Sequence, residues 1–173
     1  ACGGTFSDTG GSSGNYTNNS NSIVTICPTV PGEVVTVTFT SFNTQATADG
    51  LYIFNGNSIT APLMSSGNPA GTVPGAVPGA YWGTANPGSF TSTSADGCLT
   101  FRFRSGAATN AAGWTSNVTC GPAPTCPQPQ SLLTSAVAYN SVNLAWTENG
   151  SATAWQVLAL PCGSPVPTAS ATG

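Results

Sequence analysis

Short runs in which apolar and polar residues alternate one by one recur along this chain, and they constrain its fold more than any other feature. Val35, Val37 and Phe39 alternate with Thr36, Thr38 and Thr40. Leu99, Phe101 and Phe103 alternate with Thr100, Arg102 and Arg104. Trp114, Ser116, Val118 and Cys120 alternate with Thr115, Asn117 and Thr119. A strand sends successive side chains to opposite faces, so each run predicts a half-buried strand. Weaker strands are predicted at Ile23–Ile26 and at Leu51–Phe54, the latter ending in an Asn55-Gly56 turn. Helical periodicity is nearly absent, and Gly and Pro interrupt the chain too often to allow it. Short strands separated by turn residues predict an all-β fold, a sandwich or a barrel.

The surface of such a fold would carry little charge. Asp, Glu, Lys and Arg make up only 4% of the residues, so Ser, Thr, Asn and Gly must supply its solubility. Few charges hold such surfaces apart, so close lateral packing meets little electrostatic resistance. Lys and Arg together number two, which leaves a phosphate backbone almost nothing to pair with and argues against nucleic acid as a partner. No apolar run approaches the roughly 18 residues of a membrane helix, so no membrane insertion is expected. No signal peptide is visible; in an exported protein it would have been removed or would lie upstream.

Six cysteines stand at 2, 27, 98, 120, 126 and 162, with no His anywhere in the chain. Zinc would need thiolates gathered from distant loops, and an even count at wide spacing fits three disulfides in an oxidising compartment better. Fifteen pairings are possible in principle. The expectation is that sequence neighbours pair: Cys2 with Cys27, Cys98 with Cys120, and Cys126 with Cys162. Each loop of about 22 to 37 residues would then contribute roughly 3–4 kcal/mol.

Two segments break the pattern. Gly67–Ser89 contains the duplication PGAVPGA, with Tyr81 and Trp82 inside it. A connection this long is functional or disordered. Gly121–Pro127 breaks any strand and predicts a boundary. Beyond it alternation restarts at Val142, Leu144 and Trp146, and again at Trp155, Val157 and Ala159. Only three or four strands fit before Gly173, whereas a sandwich of this kind needs about seven. The second domain is therefore expected to be incomplete: either the chain continues beyond Gly173, or a strand from a neighbour completes the sheet.

The first domain, 1–120, resembles a CUB domain of the kind found in bacterial secreted multidomain proteins. The opening Cys2-Gly3-Gly4-Thr5-Phe6 looks like the family's C-G-G, and the spacing to Cys27 fits its first disulfide. Phe39-x-x-Phe42 followed by Asp49-Gly50-Leu51-Tyr52-Ile53-Phe54-Asn55-Gly56 resembles F-x-x-F…D-x-L-x-I-x-D-G. Phe101-x-Phe103-x-Ser105…Gly113-Trp114…Cys120 resembles the family's close. The resemblance implies a jelly-roll β-sandwich that binds protein or carbohydrate. After a Pro-rich linker at 121–127, residues 128–173 resemble the first part of a fibronectin type III domain: Leu144-x-Trp146 matches its core tryptophan, and Trp155-Gln156-Val157 takes the place of its Y-x-V. The tandem is similar to cell-surface proteins of bacteria that export through the type IX system and show gliding motility.

Four sets of residues are candidates for function. In the CUB resemblance, Asp49 matches one of the acidic calcium ligands. Gly106 stands where another carboxylate is usual, and Asn43–Gln45 offer only amides at the third position. Calcium wants six to eight oxygens, so one carboxylate implies weak binding or none; otherwise Asp49 caps the turn before its strand. Tyr81 and Trp82 either stack on a sugar or a partner's apolar group, or fold back over the sandwich. Arg102 and Arg104 share one strand face, where they either solubilise it beside Asp or Glu neighbours or grip a carboxylate. Thr9, in Asp8-Thr9-Gly10, fits a bacterial O-glycosylation pattern, and Asn15, Asn18, Asn117 and Asn149 fit the N-linked pattern.

Catalysis has little to work with. Asp8, Glu33, Asp49, Asp96 and Glu148 fall in no shared motif, and no His or Lys is present to act as a base. No cofactor is expected. The expectation is a non-catalytic module of an exported protein, extracellular or on the cell surface, that serves adhesion or the assembly of a surface fibre, filament or layer. Its partners would be other surface proteins, further copies of itself or glycans, and the export machinery during secretion. The alternative is the substrate-targeting module of a larger secreted hydrolase or protease.

Overall fold

A computed structural model describes residues 2–123, 130–147, 155 and 157. The chain divides into two compact units, Ala1–Ala123 and Pro124–Gly173. No helix occurs among the described residues.

The first unit contains seven strands: β1 Thr5–Ser7, β2 Asn21–Ile26, β3 Glu33–Asn43, β4 Gly50–Asn55, β5 Ser89–Thr91, β6 Leu99–Arg104 and β7 Gly113–Pro122. They form a four-stranded sheet in the order β1-β7-β3-β5 and a three-stranded sheet in the order β2-β6-β4. All the pairings are antiparallel. The inward residues of both sheets meet in one apolar cluster. The first sheet gives Val35, Val37, Phe39, Trp114 and Val118; the second gives Leu51, Ile53, Leu99, Phe101 and Phe103. The unit is thus a β-sandwich whose core is the alternating set expected from the sequence. Aromatic rings lock its centre, with Phe103 and Phe6 set against Trp114 at 5.0 and 5.6 Å between centroids.

The alternation in β3 changes phase once. Thr40 and Ser41 together oppose Thr115, so the strand bulges there and both hydroxyls reach Thr115 Oγ1, at 2.8 and 2.7 Å. The extra residue brings Phe42 back to the core side, where it stacks on Trp114.

The disulfide expectation is corrected by the strand pairing. Cys2 bonds Cys120, and Cys27 bonds Cys98. The registers explain both. Ile26 stands opposite Leu99 in the β2–β6 ladder, so the next pair outward is Cys27 and Cys98. Thr5 stands opposite Asn117 in the β1–β7 ladder, and three steps outward Cys2 meets Cys120. Distance along an antiparallel ladder, and not distance along the chain, decides which thiols meet. The pairing expected for Cys126 and Cys162 lies outside the described residues. The two disulfides of the first unit point to an oxidising environment.

Gly67–Ser89 is not a disordered loop. Together with the residues just after β4, this segment lies over the outer face of β4. Leu63 bridges Phe54, and Tyr81 bridges Leu51. Tyr52, Val73 and Ala80 form a second buried cluster there, joined by Phe54, Leu63 and Trp82. Its glycines are needed for contact: a Cβ on Gly79, at φ +94°, would run into Leu63 and Ser65. Strand β4 is therefore covered on both faces, which explains why both phases of its alternation are apolar.

In the second unit, β8 Gln130–Ser135 and β9 Asn143–Thr147 form an antiparallel pair. Strand β9 contains the Leu144-x-Trp146 alternation, and the rings of Trp146 and Trp155 meet edge to face at 5.5 Å. Strand β8 has no counterpart in the sequence reading. Of the run expected around Trp155, only Trp155 and Val157 are among the described residues, and neither belongs to a strand.

Candidate functional site

The chain's acidic residues go largely into holding loops. Asp49 lies between β3 and β4 and is fully buried. Its Oδ2 accepts a hydrogen bond from the Tyr16 hydroxyl at 2.6 Å, and its Oδ1 accepts one from the Gly106 backbone N–H at 2.7 Å. Tyr16 in turn accepts from the Gln45 backbone N–H, and Thr44 Oγ1 donates to the Asp49 carbonyl. Gly83 N–H donates to the same Thr44 hydroxyl. One polar knot thus joins four chain segments at this end of the sandwich. Burial pushes the Tyr16 phenol well above its ordinary range, and its bond to Asp49 raises it further.

These contacts bear directly on calcium. The two oxygens of Asp49 already hold a hydroxyl and an amide proton. Gly106 presents an N–H where the resemblance would place a carboxylate, and a donor there repels a cation. Asn43 is exposed, and the Gln45 side chain, in the orientation that satisfies both its amide atoms, donates to the Ala108 and Thr109 carbonyls. Among the described residues no three His, Cys, Asp or Glu side chains gather as a metal site. This donor set does not fit calcium. Asp49 acts as an anchor for loops, a wider role than capping its own turn.

Asp8 is used in the same way. Its Oδ1 accepts from Gly10 N–H at 2.7 Å and its Oδ2 from Trp114 N–H at 2.9 Å. Gly113, at φ +69°, leaves the space that the Asp8 carboxylate fills. Asp96 is exposed and accepts from the Ser94 hydroxyl and the Cys98 N–H, which hold its carboxyl below the usual carboxylate range. Asp8, Asp49 and Asp96 therefore serve separate turns and do not converge.

Tyr81 and Trp82 are both half-buried, on either side of the β4 edge. Tyr81 meets Phe90 edge to face at 5.4 Å and packs on the sandwich core, and burial raises its phenol pKa. Trp82 packs on the outer cluster around Tyr52. Both fold back onto the sandwich, and neither projects as a free stacking platform.

The arginines present a different picture. Strand β6 is central in its sheet and turns Arg102 and Arg104 to the outer face, opposite the core residues Phe101 and Phe103. Both are half-buried where the covering segment ends. With Tyr52, Phe54 and Val77 they line a concavity of about 40 Å³. Arg102 Nε donates to Asn21 Oδ1 at 3.2 Å. The Arg104 Nε is buried and has no partner among the described residues. The carboxylate neighbours expected to accompany a merely solubilising pair are missing: among the described residues neither guanidinium joins an ion pair. The sequence showed that the two share a face, but the concavity depends on the covering segment and could not be read from it.

A second hollow, of about 120 Å³, opens between the edge strands β1 and β2, lined by Phe6, Val24, Phe101, Trp114 and Asp8 among others. Of the candidate glycosylation positions, Thr9, Asn15, Asn18 and Asn117 are exposed, and Asn149 lies outside the described residues. Thr9 Oγ1 accepts from Thr17 N–H, and the Asn15 amide donates to Asn110. The chain matches no family model and no curated protein.

Proposed function

We propose that this chain is a non-catalytic module of an exported cell-surface protein, working in adhesion or in the assembly of a surface fibre or layer. The observation that carries this reading is how three of the five acidic side chains are spent. Asp8, Asp49 and Asp96 each accept hydrogen bonds that close a turn or tie loops together. With no His or Lys in the chain, that leaves scant means for general acid–base chemistry. What the fold offers instead is a cross-linked sandwich with a nearly uncharged exterior and a cationic concavity. A CUB-like assignment draws support from the two-sheet sandwich and from the place of Asp49 before β4. The Cys27–Cys98 bond counts against the part of that resemblance that rested on Cys2 and Cys27.

The test is made in the source cells. Antibody raised to this chain should label intact cells, and deleting the coding segment should weaken attachment to a surface or thin the surface layer. Label confined to lysed cells, or unchanged attachment and layer, overturns the reading. If deletion instead detaches an accompanying hydrolase or protease from its substrate, the chain is a targeting module.

A further inference from the structure

Arg102 and Arg104 are the chain's only basic side chains, and they stand two residues apart on one face of β6. Like charges placed so close repel unless an anion joins them. No carboxylate among the described residues does so. Arg102 is steadied by Asn21, and Arg104 is held from above: its guanidinium lies in the space that a side chain on Gly75, at φ +95°, would need. The same segment is tied down where the Tyr52 hydroxyl donates to the Val77 carbonyl at 2.8 Å. The cationic pair is thus fixed in place before any ligand arrives, yet the Arg104 Nε–H is buried and unbonded. The Nε–H of Trp114 shares that state deep in the core, so the case for a ligand rests on the uncompensated pair of charges beside the concavity.

The space is about 40 Å³, against the roughly 10–15 Å³ that one water needs, and suits a single small anionic group. Guanidinium forks match the two oxygens of a carboxylate. We infer that this concavity binds the carboxylate of a uronic-acid residue in an acidic glycan. A peptide fits less well. A peptide that docks by strand addition needs a free sheet edge, whereas Arg104 is paired on one side with Asn21 of β2 and on the other with Gly50 of β4. The nearest free edge is that of β2, one strand away, so a peptide added there would run beside the concavity and not over it. A ring carrying a carboxylate needs no edge; it can rest on the rim, where the Ile23 side chain is 51% exposed and Phe54 half-buried.

This inference rests on the reading of the chain as a binding module, but its test does not need the cell. The oxidised chain is titrated with tri-galacturonate while the Arg102 and Arg104 Nε–H resonances are followed by NMR. Neutral galactotriose, an acetylated glutamate peptide and sulfate are run in parallel. Tri-galacturonate should move both resonances, and its binding should weaken as salt rises. Arg102→Gln and Arg104→Gln should each weaken it about tenfold or more, and Arg104→Lys, which keeps the charge but not the fork, should weaken it as well. Equal binding of the neutral sugar, unchanged binding by these variants in folded form, or immobile resonances overturns the site. Tighter binding of the peptide or of sulfate overturns the uronate assignment. Uronate binding alongside unaltered cell attachment would sink the surface-module reading and leave the site standing; the converse would sink the site alone.

Discussion

Asp8 and Asp49 at the loops and Arg102 and Arg104 on the outer sheet face are two pairs of charged side chains treated in opposite ways. Both oxygens of each aspartate are taken by donors of the chain itself. Of the donors on the two arginines, only Arg102 Nε has a bond among the described residues. A buried carboxylate that has all its partners supplied organises the structure around it. Half-buried guanidiniums that lack ion-pair partners among the described residues add little to the fold and are free for something else. The difference separates charge that builds from charge that waits, and it can be tested by substitution.

The largest effect is expected at Asp49. Asp49→Ala strips partners from the Tyr16 hydroxyl and the Gly106 N–H in a fully buried place, and should cost about 3–5 kcal/mol in urea unfolding. A loss near zero would break the contrast at once. Asp8→Ala frees two backbone N–H groups nearer the surface, where water can replace part of what is lost, and should cost about 2 kcal/mol by the same measurement. Tyr16→Phe removes the bond to Asp49 and the acceptor of the Gln45 N–H, and should cost about 2 kcal/mol at neutral pH.

Tyr16→Phe also sharpens the pH behaviour. The folded phenol has its pKa raised, so it keeps its proton while the unfolded chain releases one above the ordinary value of 10.0. The unfolded state then binds fewer protons, and stability falls as pH climbs past that point. The variant should show a shallower alkaline fall than the parent; an identical slope would remove Tyr16 from the account. The smallest effect is expected at the arginines. Arg102→Gln and Arg104→Gln should shift stability by less than about 1 kcal/mol, most of it lost stem packing. If Arg104→Gln destabilises as much as Asp49→Ala, the two pairs are alike and the comparison fails.

Alternation made the inner core legible in advance, because a strand with one buried face announces itself residue by residue. Strands β3, β6 and β7 and their core positions were all visible for that reason. Strands β1 and β5 were not, since three residues leave too little alternation to read. The covering segment was hidden for another reason. Its Pro and Gly content reads as irregular chain, which it is, yet irregular chain can pack closely when glycines let its backbone reach a sheet. Everything that depends on that segment, including the cationic concavity and the packing of Trp82 on the outer cluster, was hidden with it. The cysteine pairing failed because the expectation measured along the chain, while the ladders bring Cys27 beside Cys98. Asp49 was found from its place in a motif, but its anchoring role depends on Tyr16, a residue that no pattern had marked.

The bond between Cys2 and Cys120 sets the path of tension through the module. The two Cα atoms are 5.4 Å apart although 118 residues separate them in sequence. A pull applied on the outer sides of these two cysteines first peels the end of β7, where Gly121 and Pro122 pair with Val34 and Glu33, and then runs through sulfur. The chain between them, about 400 Å if drawn straight, stays coiled within the fold and adds nothing to extension until the bond is reduced. Thiol chemistry would therefore govern how far this piece stretches under drag, well before the strength of the rest of its sheets is called upon.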